Sequence, residues 1–220
     1  MTDLRIQPLS AHDDNGFRQA YAVYHDAILP SEQRTEAELR SLTARPDYRF
    51  LVAVSDGLPI GMSVSYVPPG DDFWLFEYAA VAPAERGGGI GANLFVASRL
   101  MAGQGRVGLV EADAAYADSG SEQARRLAFY GRLGCRIIAG LDYLLPLRTY
   151  GVPPPMVLLA LAPRETASVP RDTVERWLRR LYVDAYHQKT DDPRIAEMVS
   201  GLPAEVKLAE IQPSPGPAKP

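Results

Sequence analysis

Apolar residues recur along the chain at two spacings, and each change of spacing marks an element. Leu4 and Ile6, closed by Pro8-Leu9, predict a short first strand; Phe17, Ala20, Tyr21, Tyr24, Ala27 and Ile28 then recur as the buried stripe of a helix that Pro30 ends. Thr35-Glu36-Ala37-Glu38 has the form of a capping box ahead of Leu39 and Leu42, so a second helix is expected before Pro46. Tyr48 to Ser55 is rich in β-formers, Asp56-Gly57 is a hairpin signal, and Ile60 to Val67 returns as the next strand. After Pro68-Pro69-Gly70, Phe73 to Val81 predicts a third strand of this meander. Without a bulge it places Phe73, Leu75, Glu77, Ala79 and Val81 on one face.

Val81 leads into Ala82-Pro83-Ala84-Glu85-Arg86-Gly87-Gly88-Gly89-Ile90-Gly91, and Ile90, Leu94, Ala97 and Met101 then line one face of a helix that stops at Gly103-Gln104-Gly105. Val107 to Asp113 is the next strand, so a parallel, right-handed crossover is expected. Tyr116 to Ser121 reads as a polar loop and Glu122 to Leu133 as a helix stopped by Gly134. Cys135 to Leu145, a turn through Pro153-Pro154-Pro155, and the apolar run Met156 to Leu161 complete this region. Beyond it, Val174, Trp177, Leu178, Leu181, Tyr182 and Ala185 form a second helical stripe, with Asp172-Thr173-Val174-Glu175 able to cap it. That stripe must be covered by the rest of the chain or by a second copy in a homodimer. Pro193 to Val199 adds a short helix, and Gln212 to Pro220 is expected to be disordered or polyproline-like. The expected organisation is one domain over residues 1–163, a helical extension over 164–202 and a Pro-rich, flexible tail over 203–220.

Composition narrows the function. A hydrophobic content of 46% with 23% charged residues is that of an ordinary globular chain, and a net charge of −4 supplies no electrostatic footprint for nucleic acid or an anionic membrane. Met1-Thr2-Asp3-Leu4-Arg5 lacks the basic-then-apolar order of a signal peptide, so a cytoplasmic location is expected. Cys135 is the one cysteine, lies beside apolar residues, and reads as a buried thiol. His12, His25 and His187 show no ligand spacing, so no metal is expected.

The chemistry concentrates at the glycines. Gly87, Gly88, Gly89 and Gly91 carry no Cβ, so the backbone can turn tightly and a bulky ligand can approach its amides. Those amides open a helix whose first turn has unpaired N–H groups, an arrangement that favours a phosphate or pyrophosphate. The sequence fits neither a Walker loop, which ends in Gly-Lys-Ser/Thr, nor a dinucleotide fingerprint after a first strand. Glu77, four residues before Val81 on the strand that delivers the loop, can accept a proton from a nucleophile. Glu111 and Asp113 share a face of the neighbouring strand and can substitute for it or bind a cationic acceptor. A backbone N–H near Val81 can polarise a carbonyl.

Arg86-Gly87-Gly88-Gly89-Ile90-Gly91 resembles the Gln/Arg-x-x-Gly-x-Gly/Ala signature of the GNAT superfamily of N-acetyltransferases, and Phe129-Tyr130-Gly131-Arg132-Leu133-Gly134 resembles the Tyr-x-x-x-Gly ending of that family's last core helix. The predicted order β-α-α-β-β-β-α-β-α-β-β over residues 3–162 is also that of a GNAT domain. The resemblance implies an α/β (α+β) fold with a mixed central sheet flanked by helices, here with a C-terminal helical extension. It implies acetyl-coenzyme A as co-substrate, without a metal, its pyrophosphate held by Val81, Arg86, Gly87, Gly88, Gly89, Ile90 and Gly91. It further implies transfer of the acetyl group to a primary amine of a small molecule or protein by direct attack in a ternary complex. Tyr130 would then serve the departing sulfur, with Glu77 or Glu111 as the base. One departure is Gln123, seven residues before Tyr130, where the family often has Asn. The alternative is a non-catalytic acyl-coenzyme A-binding module that uses its C-terminal helix to meet a partner. Tyr143, Arg148 and Tyr150, with Glu32 and Arg34, are candidates for shaping the acceptor pocket.

Overall fold

In a computed structural model, the structure describes residues 4–30, 32–114, 121–146 and 155–211. Residues 116–120 of the expected polar loop, the turn at Pro153-Pro154 and the tail from Gln212 lie outside them, as do Arg148 and Tyr150. The fold class is the α/β one implied above, a mixed sheet with helices on its faces. The chain divides into two compact units, 1–108 and 109–220.

In the first unit, β1 (Arg5–Pro8), β2 (Tyr48–Ser55), β3 (Leu58–Tyr66) and β4 (Phe73–Val81) pair in series, each antiparallel to the next. Helices α1 (Asp14–Ala27) and α2 (Glu36–Thr43) lie between β1 and β2, and the Thr35 capping box forms as the spacing predicts. Adjacent residues on β3 face opposite ways, and the two faces receive different helices. The Ser63 hydroxyl meets Ser98 of α3 (Ile90–Ala102) at 3.0 Å. Tyr78, register partner of Val64, meets Tyr24 of α1 edge-on at 5.1 Å between ring centres. Phe95 of α3 packs on Trp74 and Phe76. This aromatic anchor sets the helix's rotation: its buried stripe is Ile90, Leu94, Phe95, Ser98 and Ala102, whereas Met101, expected on that stripe, is 41% exposed.

The expected single-faced β4 does not form. Val64 pairs with Tyr78 and Ser65 with Phe76, so Glu77 is an extra residue in a β-bulge. One inserted residue reverses the alternation, so Ala79 and Val81 fall on the face of Trp74 and Phe76, away from that of Phe73 and Leu75. The unit closes with the start of β5 (Val107–Asp113), where Val107 N–H donates to the Asp72 carbonyl at 2.8 Å. A Cβ on Gly108 would stand 2.9 Å from the Trp74 indole, so this close passage needs glycine.

The second unit orders its strands β5, β7 (Met156–Leu161), β6 (Arg136–Ile138), β9 (Glu205–Glu210) and β8 (Ser168–Pro170). Strand β9 corrects the expectation of a flexible tail from residue 203. Glu205-Val206-Lys207-Leu208 alternates with a period of two, Val206 and Leu208 are buried, and the strand is paired on both sides by β6 and β8. Arg136 is buried and donates to the carbonyls of Thr166, Ala162 and Pro163, which fastens the chain after β7. The C-terminal stripe is covered within this unit: Val174, Trp177 and Leu178 of α5 (Arg171–Arg180) and Leu181, Tyr182 and Ala185 of a following π-turn (Leu181–Ala185) are all buried, beside α6 (Pro193–Ser200).

Candidate functional site

The glycine loop joins β4 to α3 in the first unit. A single turn of 3-10 helix, Pro83–Glu85, follows Val81, and Ala82 N–H is held by the Ile60 carbonyl at 2.9 Å. Gly87 at φ 89° and Gly89 at φ 80° occupy the left-handed region that residues with a side chain avoid. Gly89 is the N-cap of α3, and having no side chain it cannot cap the first-turn amides. No acidic residue stands in that first turn to repel an anion. Arg86 does not extend from the loop; its Nε donates back to the Val81 carbonyl at 3.2 Å and so ties the strand end to the loop. The amides of Gly87 to Gly91, at the positive end of α3, are therefore suited to a phosphate-bearing ligand.

Glu77 is placed by the bulge and met by Arg34, from the segment between α1 and α2. Nη2 and Nε of Arg34 both donate to Oε1, at 2.5 and 3.2 Å, and the two side chains are 3% and 1% exposed. Burial is the strongest single influence and opposes the charge on Arg34, but the charge and hydrogen bond of Glu77, with smaller help from Tyr78 and Tyr48, together hold the guanidinium's pKa above its ordinary value. The Arg34 amide donates to the Tyr24 hydroxyl at 2.7 Å, so α1 fixes the backbone from which the guanidinium reaches out. Among the described residues, Glu77 Oε2 and the Tyr48 hydroxyl are buried without a well-formed hydrogen bond, although the two side chains are close enough for Glu77 to act on the phenol. Burial, and then the negative charge of Glu77, push the Tyr48 phenol upward and keep it protonated. Arg34 is thus engaged by the Glu77 carboxylate.

The other two predicted catalytic residues lie in the second unit. Glu111 on β5 receives Tyr143 on Oε1 and Tyr186 on Oε2. Burial, followed by the charge of Glu111, holds the Tyr143 phenol well above its usual range, so it remains a donor. Tyr143 was among the sequence candidates; Tyr186 was not. It stands just past the end of the apolar stripe, and its N–H bonds the Leu181 carbonyl five residues back, a π-turn geometry that a pattern of period 3.6 does not reveal. Tyr130 lies on α4 (Glu122–Arg132), 6% exposed, its phenol pushed upward by burial against the opposing influence of Arg126. Cys135 is buried and its thiol is pushed up to about 12, in keeping with a packing role. Among the described residues no group of three or more His, Cys, Asp or Glu could hold a metal ion, and no helix is long and apolar enough to cross a membrane.

Comparison with known proteins gives this geometry a family. The model of the acetyltransferase (GNAT) family matches residues 16–134, a span that contains the loop, Glu77, Glu111 and Tyr130. Among solved structures, a protein of Bacteroides thetaiotaomicron assigned to the GNAT family superposes with a TM-score of 0.67 at 26% identity, covering 84% of this chain and 99% of its own. An aminoglycoside 6'-N-acetyltransferase complexed with coenzyme A superposes with a TM-score of 0.55 at 18% identity, covering 73% of this chain and 98% of its own, a likeness of fold. No curated protein matches the sequence. With a family model spanning more than half of its length, the chain belongs to the GNAT family of acetyl-coenzyme A-dependent acetyltransferases.

Proposed function

We propose that the protein transfers the acetyl group of acetyl-coenzyme A to a primary amine of a small molecule or protein, by direct attack within a ternary complex. The observation that carries the coenzyme half of this reading is the pair of left-handed glycines, Gly87 and Gly89, at the uncapped start of α3. They leave amides rather than side chains facing the diphosphate.

The residues divide the proton traffic. The amine nitrogen forms a bond to the thioester carbonyl carbon, and the carbon–sulfur bond breaks. Glu77 Oε2 accepts the proton the amine loses; this oxygen is buried, while Arg34 on Oε1 fixes the carboxylate's orientation. The same guanidinium compensates the carboxylate's charge in its buried setting. Tyr130 gives its hydroxyl proton to the departing thiolate; a phenol pushed upward by burial remains protonated at neutral pH. The acetyl oxygen gains charge near Val81, where a backbone N–H can stabilise it.

Free-thiol release from acetyl-coenzyme A, assayed over a panel of primary amines and peptides, tests the proposal. Glu77→Gln and Tyr130→Phe are each expected to lower turnover by about 10²–10⁴-fold, the usual worth of a positioned acid or base. Coenzyme binding measured by calorimetry should be retained in both, for Glu77→Gln at a temperature below the lowered melting point expected when Arg34 loses its partner. Thiol release from no amine, with the coenzyme still bound, would instead support a binding module. Full activity in both variants would remove these residues from the mechanism.

A further inference from the structure

Glu32, Gln33 and Arg34, between α1 and α2, are each held by a hydrogen bond that joins a side chain to the backbone. The Tyr78 hydroxyl of β4 donates to the Glu32 carbonyl at 3.3 Å. Gln33 Nε2 donates to the His25 and Ile28 carbonyls at the end of α1, at 2.8 and 2.6 Å, and the Arg34 amide donates to the Tyr24 hydroxyl at 2.7 Å. The two tyrosine rings also meet each other edge-on, and the Arg34 guanidinium carbon lies 5.9 Å from the centre of the Tyr78 ring. Successive residues of a regular strand point to opposite faces, yet Glu77 and Tyr78 both reach Arg34, because the bulge falls between them and Phe76.

Arginine and a carboxylate commonly pair fork to fork, with two parallel hydrogen bonds that occupy both oxygens. Here Nε and Nη2 of Arg34 converge on Oε1, and Oε2 is buried without a well-formed hydrogen bond. We propose that Tyr24 and Tyr78 are positioning residues: their hydroxyls hold residues 32–34 so that Arg34 engages one oxygen of Glu77 and leaves the other to take the amine proton. The proposal rests on the reading in which Glu77 is the base. In that step an N–H bond of the amine breaks and an O–H bond forms at Oε2. A segment free to slide would let the guanidinium relax onto both oxygens, where its donors would compete with the amine for Oε2. The hydroxyls of Tyr24 and Tyr78 prevent this from opposite sides, one fixed on α1 and the other on β4 beside the base itself.

The test follows the Nε–H of Arg34 by nitrogen-15 NMR, with no acceptor required, in the native protein, Tyr24→Phe and Tyr78→Phe. Each substitution keeps the ring and removes one hydroxyl. In Tyr24→Phe a buried amide loses its acceptor, so exchange of the Arg34 proton with solvent should quicken by about tenfold more than exchange of the Val52 and Val64 amides in β2 and β3. Tyr78→Phe, which loses the longer bond, should act in the same direction by a smaller factor, and it gives the same comparison if Tyr24→Phe does not fold. With an amine that supports thiol release, kcat should fall by about tenfold in Tyr24→Phe while coenzyme affinity stays native. Equal acceleration of Arg34 and the two valines, or none, overturns the proposal. So does native kcat in a variant whose Arg34 proton exchanges selectively faster. Unselective exchange with thiol release intact overturns the Tyr24 and Tyr78 assignment alone. Selective acceleration with no thiol release from any amine overturns the transfer reading, and the catalytic part of these tyrosines with it.

Discussion

The hydroxyl of Tyr186 donates to Oε2 of Glu111 across 75 positions of sequence, while Tyr143 occupies the other oxygen of the same carboxylate. The chain bends sharply to make this contact: Tyr186 closes a π-turn, and His187 after it has φ 56°, unusual for a residue with a side chain. A segment that composition reads as an appendage therefore reaches a strand of the second unit's sheet. Hydrogen bonds to a charged group contribute about 1.5–3 kcal/mol, so a double-mutant cycle of Tyr186→Phe and Glu111→Gln is expected to show coupling of about that size in denaturant unfolding. Additive effects of the two changes would mean the contact does not form in solution.

The Arg34–Glu77 pair should be far more sensitive to loss of one partner than of both. Removing one member of a buried ion pair costs about 3–5 kcal/mol because the other charge is left uncompensated. Arg34→Met is expected to lower stability by that order, and Arg34→Met with Glu77→Leu to recover most of it. Urea midpoints of the three variants check this. A double variant less stable than Arg34→Met would contradict it.

Within the loop, the glycines are expected to differ from one another. Gly87 and Gly89 have positive φ with open space around a built Cβ, so alanine there is strained by backbone conformation alone, by about 1–2 kcal/mol. Gly88 has no such φ, and its nearest heavy atom would be the Glu85 carbonyl oxygen at 3.7 Å, so Gly88→Ala should leave the melting temperature unchanged. If the loop amides grip the coenzyme diphosphate, Gly89→Ala should weaken coenzyme binding more than its effect on melting, as read by calorimetry beside a thermal scan. Equal coenzyme affinity in native and Gly89→Ala proteins would move the diphosphate elsewhere.

Cys135 gives a signed dependence on pH. Its thiol is pushed up to about 12 in the folded chain, whereas an unfolded thiol titrates near ~8.5. Because the folded value is the higher one, the contribution to stability is fully present below about pH 8.5 and is lost as pH rises toward 12. Cys135→Ala should therefore flatten the alkaline decline in stability over that window, measured by urea unfolding at successive pH values. Parallel declines in native and variant proteins would show that the thiol ionises no less readily folded than unfolded.

Local signals carried much of this. The Thr35 box, the Asp56-Gly57 hairpin, the β4–glycine loop–α3 passage and the buried stripe from Val174 to Ala185 depend on neighbours within a few residues, so spacing alone reveals them. The site's partners were another matter. Arg34 and Tyr143 could be named from their loops, but not assigned to Glu77 and Glu111, and Tyr186 left no signal. Strand β9 was hidden because a six-residue alternation beside a proline-rich end reads as tail until β6 and β8 flank it.

By itself, then, the sequence determined the order of elements, the flexible-backbone loop at the start of α3, and the family those features identify. Periodicity, capping and glycine content are properties of contiguous residues. Only the tertiary structure decided which charge faces which: the extra residue at Glu77 and the π-turn before Tyr186 each reset side-chain direction, and burial next to a specific partner fixed the protonation of Arg34, Tyr48 and Tyr143. Those outcomes depend on distances between residues tens of positions apart, which no local pattern encodes.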